Sequence, residues 1–490
     1  MTSTISSLYN SSLALLTDLY QITMAYSYWK SGTANQAAVF HLFFRNAPFG
    51  NAYTVACGLR YTIDFLNSFA ITSSDADFLA TLKGADQQPL FSEDFLQVLK
   101  DLRFKCDLDA VPEGTIVFTQ EPLLRIRGPL IECQLLETAL LNLWNFQTLI
   151  ATKSARIRQA AGEDRVVEFG ARRAQGPDGA LTAAYAAYIG GCDSTSNVLA
   201  SKLFAIPTSG THAHSWVMSF DDERTAYETY AECMPNNCIF LVDTYDTLEG
   251  VRHAIETGHN LRRQGHELQG IRLDSGDLAY LSIEARKLLD EGGFPNAVIV
   301  ASNDLDENII SSLKLQGARI DVWGVGTKLI TGYDQPALGG VYKLAATRKP
   351  GQTWNYKIKL SEQSVKISTP GLQQIRRFET DGLYAGDAIF DIENTPDDSF
   401  TIVDPFDMTR RKKMPSHASF ADLLKPIFRQ GKQVYTMPDS PTIKNHVTDQ
   451  LTRFHPSIQR LLNPHEYPVG LELALQQRKT DLILKARGFS

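Results

Sequence analysis

The stretch Leu268-Gln-Gly-Ile-Arg-Leu-Asp-Ser-Gly-Asp277 decides how this chain is read. An apolar run, Leu268 to Leu273, stops abruptly in acids, a serine and a glycine. Side chains two residues apart in a strand share a face, so Arg272 and Asp274 project together from its end. Ser275-Gly276 bends the chain, and Asp277 is placed to cap a following helix. A cap and a turn account for Ser275 and Asp277. They do not account for a guanidinium and a carboxylate side by side at a strand terminus.

The same texture recurs from Arg165 onward. The runs are Val166-Val-Glu-Phe169, Leu203-Phe-Ala-Ile206, Cys238-Ile-Phe-Leu-Val242, Ala297-Val-Ile-Val-Ala301 and Ile320-Asp-Val-Trp-Gly-Val325. Each ends in polar or glycine-rich residues, with helical stretches between them, which is a β/α repeat. A spacing of roughly 30 residues suits a parallel barrel or an open doubly wound sheet. An open sheet gathers its functional groups at one switch point. Here nearly every run ends in polar groups, as strands converging on a barrel mouth would. No Gly-x-Gly-x-x-Gly or Walker sequence is present.

With Arg272 to Asp277, five strand ends carry groups suited to chemistry, and the Gly210 to Ser215 loop adds to them. Arg172 and Arg173 follow the first run, and planar guanidinium forks suit phosphate or carboxylate; ion pairs to Glu163, Asp164 or Glu168 are the competing explanation. Asp243-Thr-Tyr-Asp246 follows the third run. Ser302-Asn-Asp304-Leu-Asp306-Glu307 follows the run Ala297 to Ala301, where helix capping is the simpler explanation. Gly324-Val-Gly326-Thr327-Lys328 offers close backbone approach to an anion, with Thr327 and Lys328 as further donors. Finally, Gly210-Thr211-His212-Ala-His214-Ser215 is expected to follow a strand, with Ser209-Gly-Thr211 as strand end and bend. His214 and Ser215 should then open a helix. An imidazole there can accept a hydrogen bond, act as base, or attack phosphorus.

Composition narrows the partners. The chain has 490 residues, 43% hydrophobic and 21% charged, so it is globular and large enough for two or three lobes. A net charge of -7 argues against nucleic acid as the main partner. Met1 to Ser7 lacks a basic segment followed by an apolar core, and no run of eighteen apolar residues exists, so neither secretion nor a membrane span is expected and the cytoplasm follows by elimination. The six cysteines contain no C-x-x-C, and reduced thiols are the simplest reading.

Upstream, Leu13 to Trp29 has helical periodicity with more aromatic residues than one buried stripe needs; Tyr and Trp also favour subunit contacts or ring stacking. Ala37 to Phe44 is strand-like, Phe104 to Gly128 strand-rich, and Leu130 to Ala161 a long helical pattern. The organisation expected is an N-terminal α+β domain (1–130), an α/β barrel (131–340), a β-rich segment returning to the first domain (341–400) and a mainly helical extension (401–490). The basic Arg410 to Lys413 reads as solvated surface.

Several stretches together resemble the nicotinate phosphoribosyltransferase family. They are Asp18-Leu-Tyr20-Gln-Ile-Thr-Met-Ala25, Glu168-Phe-Gly-Ala-Arg-Arg-Ala-Gln175, Gly191-Cys-Asp-Ser-Thr-Ser-Asn197, Gly210 to Ser215, Arg272 to Asp277, Ser302-Asn303, Gly324 to Thr327 and Gly339-Gly-Val-Tyr-Lys-Leu344. The resemblance implies an α/β fold: an irregular (β/α) barrel of the type II phosphoribosyltransferase kind packed against a mixed, β-rich domain. It implies that nicotinate and 5-phosphoribosyl 1-diphosphate give nicotinate mononucleotide and diphosphate, the first step of NAD salvage from nicotinate. ATP is the co-substrate, Mg²⁺ the cofactor, and His214 the phosphohistidine. Tyr20, Thr211 and Arg272 match nicotinate-contacting positions, and Gly326 and Thr327 phosphoribosyl positions. Arg172 is placed with the latter, and Asp243 and Asp274 look catalytic. Metal ligands stay unassigned, as does His212. A homodimer with shared sites is implied, Tyr20 reaching into the neighbour. The competing readings are the sister activity on nicotinamide, quinolinate phosphoribosyl transfer, a barrel aldolase or glycosidase, and a non-enzymatic binding protein.

Overall fold

In the computed structural model, which describes residues 13–396 and 400–489, five of the six apolar runs are strands of one parallel sheet. The leader reading at residues 1–7 lies outside the described residues. The strands are Arg165–Glu168, Ser194–Thr195, Ile239–Leu241, Gly270–Leu273, Val298–Asn303 and Val322–Val325. Their spatial order is 194–195, 165–168, 322–325, 298–303, 270–273, 239–241. Val167, Val300 and Val322 pack together on the sheet. Alternate helices follow, among them Thr247–Arg263, Leu278–Glu291 and Glu307–Leu315, each opened by an aspartate whose side chain accepts backbone N–H groups: Asp246, Asp277 and Asp306.

The run Leu203 to Ile206 is not a strand. Leu203 and Phe204 end the helix Val198–Phe204, and Ala205 terminates it in the left-handed region at φ 54°. The strand beside 165–168 is instead the short Ser194–Thr195. Its free edge is met by 207–209: Thr195 N–H donates to Pro207 O at 3.0 Å, and Ser209 N–H donates to Thr195 O at 3.1 Å. At the opposite edge, Leu241 has no seventh strand. Its N–H donates to His212 Nε2 at 3.2 Å, and its carbonyl accepts from the Tyr227 hydroxyl at 2.8 Å. One segment, 207–212, therefore serves both edges of the sheet, by backbone at one and by an imidazole at the other. That makes the barrel irregular while satisfying the polar groups an open edge exposes.

This barrel is one of two compact units, made of Leu149–Pro336 with Asp439–Thr448. Beneath it Lys153, fully buried, pairs with Glu307 and Asp334, while Arg156 also reaches Glu307. The other unit holds the chain up to Thr148, Ala337–Pro438 and the part from Asp449 onward. In that unit Gly340–Arg348 pairs antiparallel with Ala37–Phe44, an inner strand of a seven-stranded sheet.

Three local expectations shift. The first helix is a 3₁₀ turn, Leu13–Leu15, then an α-helix Leu19–Lys30 opened by Asp18. Tyr26 and Trp29 stack within it and meet Phe95, leaving Leu16, Leu19 and Tyr20 exposed. The 130–161 pattern breaks at Leu136 into Leu130–Leu135 and Glu137–Ala161. The C-terminal extension is not mainly helical at its start. It forms strands Thr401–Val403, Arg411–Lys413, Ser419–Asp422, Lys425–Arg429 and Lys432–Gln433 before the helix Ser440–Thr452. Charged, exposed edge strands such as Arg411–Lys413 lack the alternation by which strands are recognised.

Candidate active site

Strand ends 165–168, 270–273, 298–303 and 322–325, with the 210–211 loop, surround a cavity of about 470 Å³. Arg172, Arg173, Thr211, Arg272, Asp274, Gly326 and Thr327 line it, as do Phe169, Ser196, Ser302 and Asp304. The first seven of these were singled out from sequence and come to one wall set. His214 and Asp243 stand just behind it, through Asp274. Tyr20 belongs to the other unit, is 49% exposed, and is not among the lining residues.

Arg272 organises the centre. Its Nε donates to Ser302 Oγ at 2.7 Å, one terminal nitrogen to Thr211 Oγ1 at 3.2 Å, the other to Asp274 Oδ1 at 2.9 Å. Three of five guanidinium donors are engaged, so two remain for a ligand. The guanidinium lies over the Phe169 ring, 5.4 Å from its centroid. Gly324 makes room for that ring: a Cβ there would sit 2.5 Å from Phe169 Cδ2. The role of this glycine is close approach, since Gly324 is not in the left-handed region.

Asp274 is held on three sides. Ser302 Oγ and Arg272 both donate to Oδ1, and Oδ2 lies 3.8 Å from His214 Nε2. Burial raises its pKa, but the Ser302 and Arg272 hydrogen bonds and the charges of Arg272 and His214 outweigh this and hold the carboxyl below the ordinary range. Asp274 N–H donates to Asp243 Oδ2 at 2.8 Å, and so does Ser275 Oγ at 2.6 Å. The other oxygen of Asp243 is buried and has no hydrogen-bond partner among the described residues.

His214 opens the short helix His214–Val217, as expected. Its Nδ1 is 3.1 Å from Thr244 Oγ1, and its side chain is 40% exposed. His212 differs: it is buried against Tyr230 and Phe240, and burial pushes its pKa down to about 4.

Arg172 and Arg173 sit in the 3₁₀ turn Ala171–Arg173. Neither is ion-paired among the described residues, and two of the acids weighed against them have other partners. Asp164 takes Lys314 and Trp323, and Glu168 takes Thr195 and Gly170 N–H. Lys328 departs from expectation: its ammonium binds Asp306 Oδ2 at 2.8 Å and does not line the cavity. Phe169 and Ser196 were not assigned a role from sequence, and Ser302 was named only at a strand end where helix capping was the simpler explanation. An aromatic residue closing an apolar run was the available signal for Phe169; Ser196 had none.

Known proteins match across most of the chain. The nicotinate phosphoribosyltransferase (NAPRTase) N-terminal domain model matches residues 15–145, the nicotinate phosphoribosyltransferase family model 165–364, and the corresponding C-terminal domain model 373–479. A nicotinate phosphoribosyltransferase of Bacillus subtilis is 46% identical over 467 residues, covering 94% of this chain and 93% of that one. The one of Homo sapiens is 35% identical over 521 residues, covering 94% and 95%. The crystal structure of human nicotinic acid phosphoribosyltransferase superimposes with a TM-score of 0.82 at 32% identity, covering 96% of this chain and 100% of that one. A nicotinate-nucleotide pyrophosphorylase from Pyrococcus furiosus shares the fold, with a TM-score of 0.66 at 22% identity over 90% of this chain and 96% of that one.

Proposed function

The chain belongs to the nicotinate phosphoribosyltransferase family, and we propose that it carries out that reaction in the cavity around Arg272. Nicotinate, 5-phosphoribosyl 1-diphosphate, ATP and water give nicotinate mononucleotide, diphosphate, ADP and phosphate. The observation that carries this reading is the pair of uncommitted Arg272 donors above the Phe169 ring. A pyridine ring suits the aromatic face, and its carboxylate suits a guanidinium fork. Thr211 holds that fork in orientation.

Transfer itself breaks the ribose C1–diphosphate bond and forms the bond to the pyridine nitrogen. Charge develops on the leaving diphosphate, where Arg172 and the loop at Gly326 and Thr327 provide electrostatic stabilisation and first-turn N–H groups. His214 accepts the γ-phosphoryl group of ATP: an N–P bond forms as the P–O bond to ADP breaks. Water later cleaves N–P and releases phosphate. Asp274, beside Nε2, keeps the ring oriented toward the cavity, and Thr244 holds Nδ1.

Mg²⁺ fits one feature of the chain. Among the described residues no group of three or more His, Cys, Asp or Glu could enclose a metal, so protein ligands would be few. Asp243 offers a buried carboxylate oxygen without a partner, and Asp274 is its neighbour. When bound, the cation neutralises diphosphate charge.

Leu13, Leu16, Leu19 and Tyr20 form an exposed apolar stretch, which supports a homodimer in which Tyr20 completes the neighbouring cavity. Mixing Tyr20→Ala with Arg272→Ala protein should restore activity above either alone; no recovery in a mixed dimer would remove Tyr20 from the site. Among the described residues no helix is long and apolar enough to cross a membrane. The deciding assay is product formation from nicotinate or nicotinamide, each with and without ATP. Turnover of nicotinate, stimulated by ATP, is expected. Preference for nicotinamide, or no turnover of either base, would overturn the reading.

A further inference from the structure

His212 has no role in the transfer just described, yet it is a buried titratable group beside it. Its Nε2 accepts the Leu241 N–H at 3.2 Å, and its Nδ1 faces Ala213 O at 3.4 Å. Tyr227, Tyr230 and Phe240 surround the ring at centroid distances of 6.2, 5.1 and 6.2 Å. The residues on either side face the site: Thr211 Oγ1 accepts from Arg272, and His214 lies against Thr244 and Asp274. Two residues beyond Leu241 is Asp243, which supports Asp274.

We propose that His212 is a positioning residue: as a neutral hydrogen-bond acceptor it stands in for a missing strand at the 239–241 edge, and so holds Thr211 and His214 in register with Arg272 and Asp274. The inference rests on the phosphohistidine reading of His214. Its physical basis is where loop 210–213 is tied to the sheet. The segment pairs through backbone at Pro207 and Ser209, Thr211 Oγ1 then takes Arg272, and the imidazole ties the loop to the 239–241 edge. Without it the turn between Thr211 and His214 would lose its bond to that edge, and group transfer demands that a phosphoacceptor be held within a few tenths of an ångström. Burial keeps the ring uncharged near neutrality, which leaves Nε2 free to accept.

Two variants separate positioning from folding. His212→Leu keeps bulk and removes the acceptor. His212→Gln returns an amide oxygen near the place of Nε2. Each is assayed as full-length protein, with circular dichroism confirming that it is folded at the assay temperature. The readouts are the rate of acid-labile ³²P incorporation from [γ-³²P]ATP and the ATP-stimulated kcat for nicotinate. The Leu variant is expected to lose at least tenfold in both, and the Gln variant to recover to within about threefold of wild type. Folded Leu protein with wild-type incorporation overturns the proposal, as does folded Gln protein as slow as Leu. Wild type that takes up no label fails the phosphohistidine reading instead, so the two failures are distinct. Should the Leu variant not fold, ¹⁵N-histidine spectra of wild type at pH 7.5 decide. A bare Nε2 and protonated Nδ1 on His212 are expected, and a protonated Nε2, which cannot accept from Leu241, overturns it.

Discussion

Asp274 Oδ2 lies 3.8 Å from His214 Nε2 while its Oδ1 accepts from Arg272 at 2.9 Å. One carboxylate therefore serves both the proposed phosphoacceptor and the proposed nicotinate anchor. Asp274→Asn should slow phosphoenzyme formation and raise KM for nicotinate together, each by roughly tenfold or more. Burst-phase and steady-state kinetics read the two effects. A change in only one would show that the carboxylate serves only one partner. Because the folded pKa of Asp274 is depressed, its favourable contribution is present above the ordinary 3.8 and is lost only as pH falls through the lower folded value. Activity should thus not titrate with this group between pH 5 and 8.

Arg272→Ala removes the two donors left for a carboxylate. A charge-assisted pair is worth on the order of 3 kcal/mol, so kcat/KM for nicotinate should fall about a hundredfold. Any residual rate with nicotinamide, which lacks the carboxylate, should fall less. Equal losses with both bases would move Arg272 from recognition to a structural role.

Gly324→Ala tests the floor of the cavity. Its Cβ would meet the Phe169 ring at 2.5 and 2.6 Å and Ser302 Cβ at 3.3 Å. Overpacking of this kind costs about 1–3 kcal/mol, and here it also displaces the ring beneath Arg272. Thermal melts should show a lower Tm together with a raised nicotinate KM. Wild-type values for both would mean the ring moves freely.

The imidazole of His212 links stability to pH. Its folded pKa, about 4, lies below the ordinary 6.5, so between these values the unfolded chain binds the extra proton and stability rises with pH. The shift corresponds to about 3 kcal/mol across that window. His41, buried in the other unit and also lowered, acts in the same direction. The informative quantity is therefore the difference between wild type and His212→Gln in urea melts at pH 5 and 7. The Gln variant should show the smaller loss on acidification; an equal loss would mean His212 is protonated in the folded state.

The parallel strands were legible because β-branched runs with polar ends recur at the spacing of a β/α unit. Arg272 and Asp274 were legible because strand alternation puts them on one face. Leu203 to Ile206 was misread because four apolar residues at a helix end look like a strand. The left-handed Ala205 and the exposure of Leu203 distinguish them only in three dimensions. Lys328 stood beside an anion-binding loop in sequence, but Asp306, 22 residues away, claims its charge. Ser302 was placed at a strand end, but its role was not legible, because it accepts from Arg272 and donates to Asp274, pairings made by adjacent strands. The edge function of His212 depends on the strand that is missing beside Leu241, which no local pattern announces.

The account depends most on His214 carrying the phosphoryl group. Incubation with [γ-³²P]ATP, followed by proteolysis at alkaline pH and mass mapping, addresses it directly. The predicted result is acid-labile phosphate on the peptide containing His214. His214→Ala should keep the fold, lose the label and retain only slow, ATP-independent transfer. Label that persists in His214→Ala, or that maps to another residue in wild type, would contradict the account.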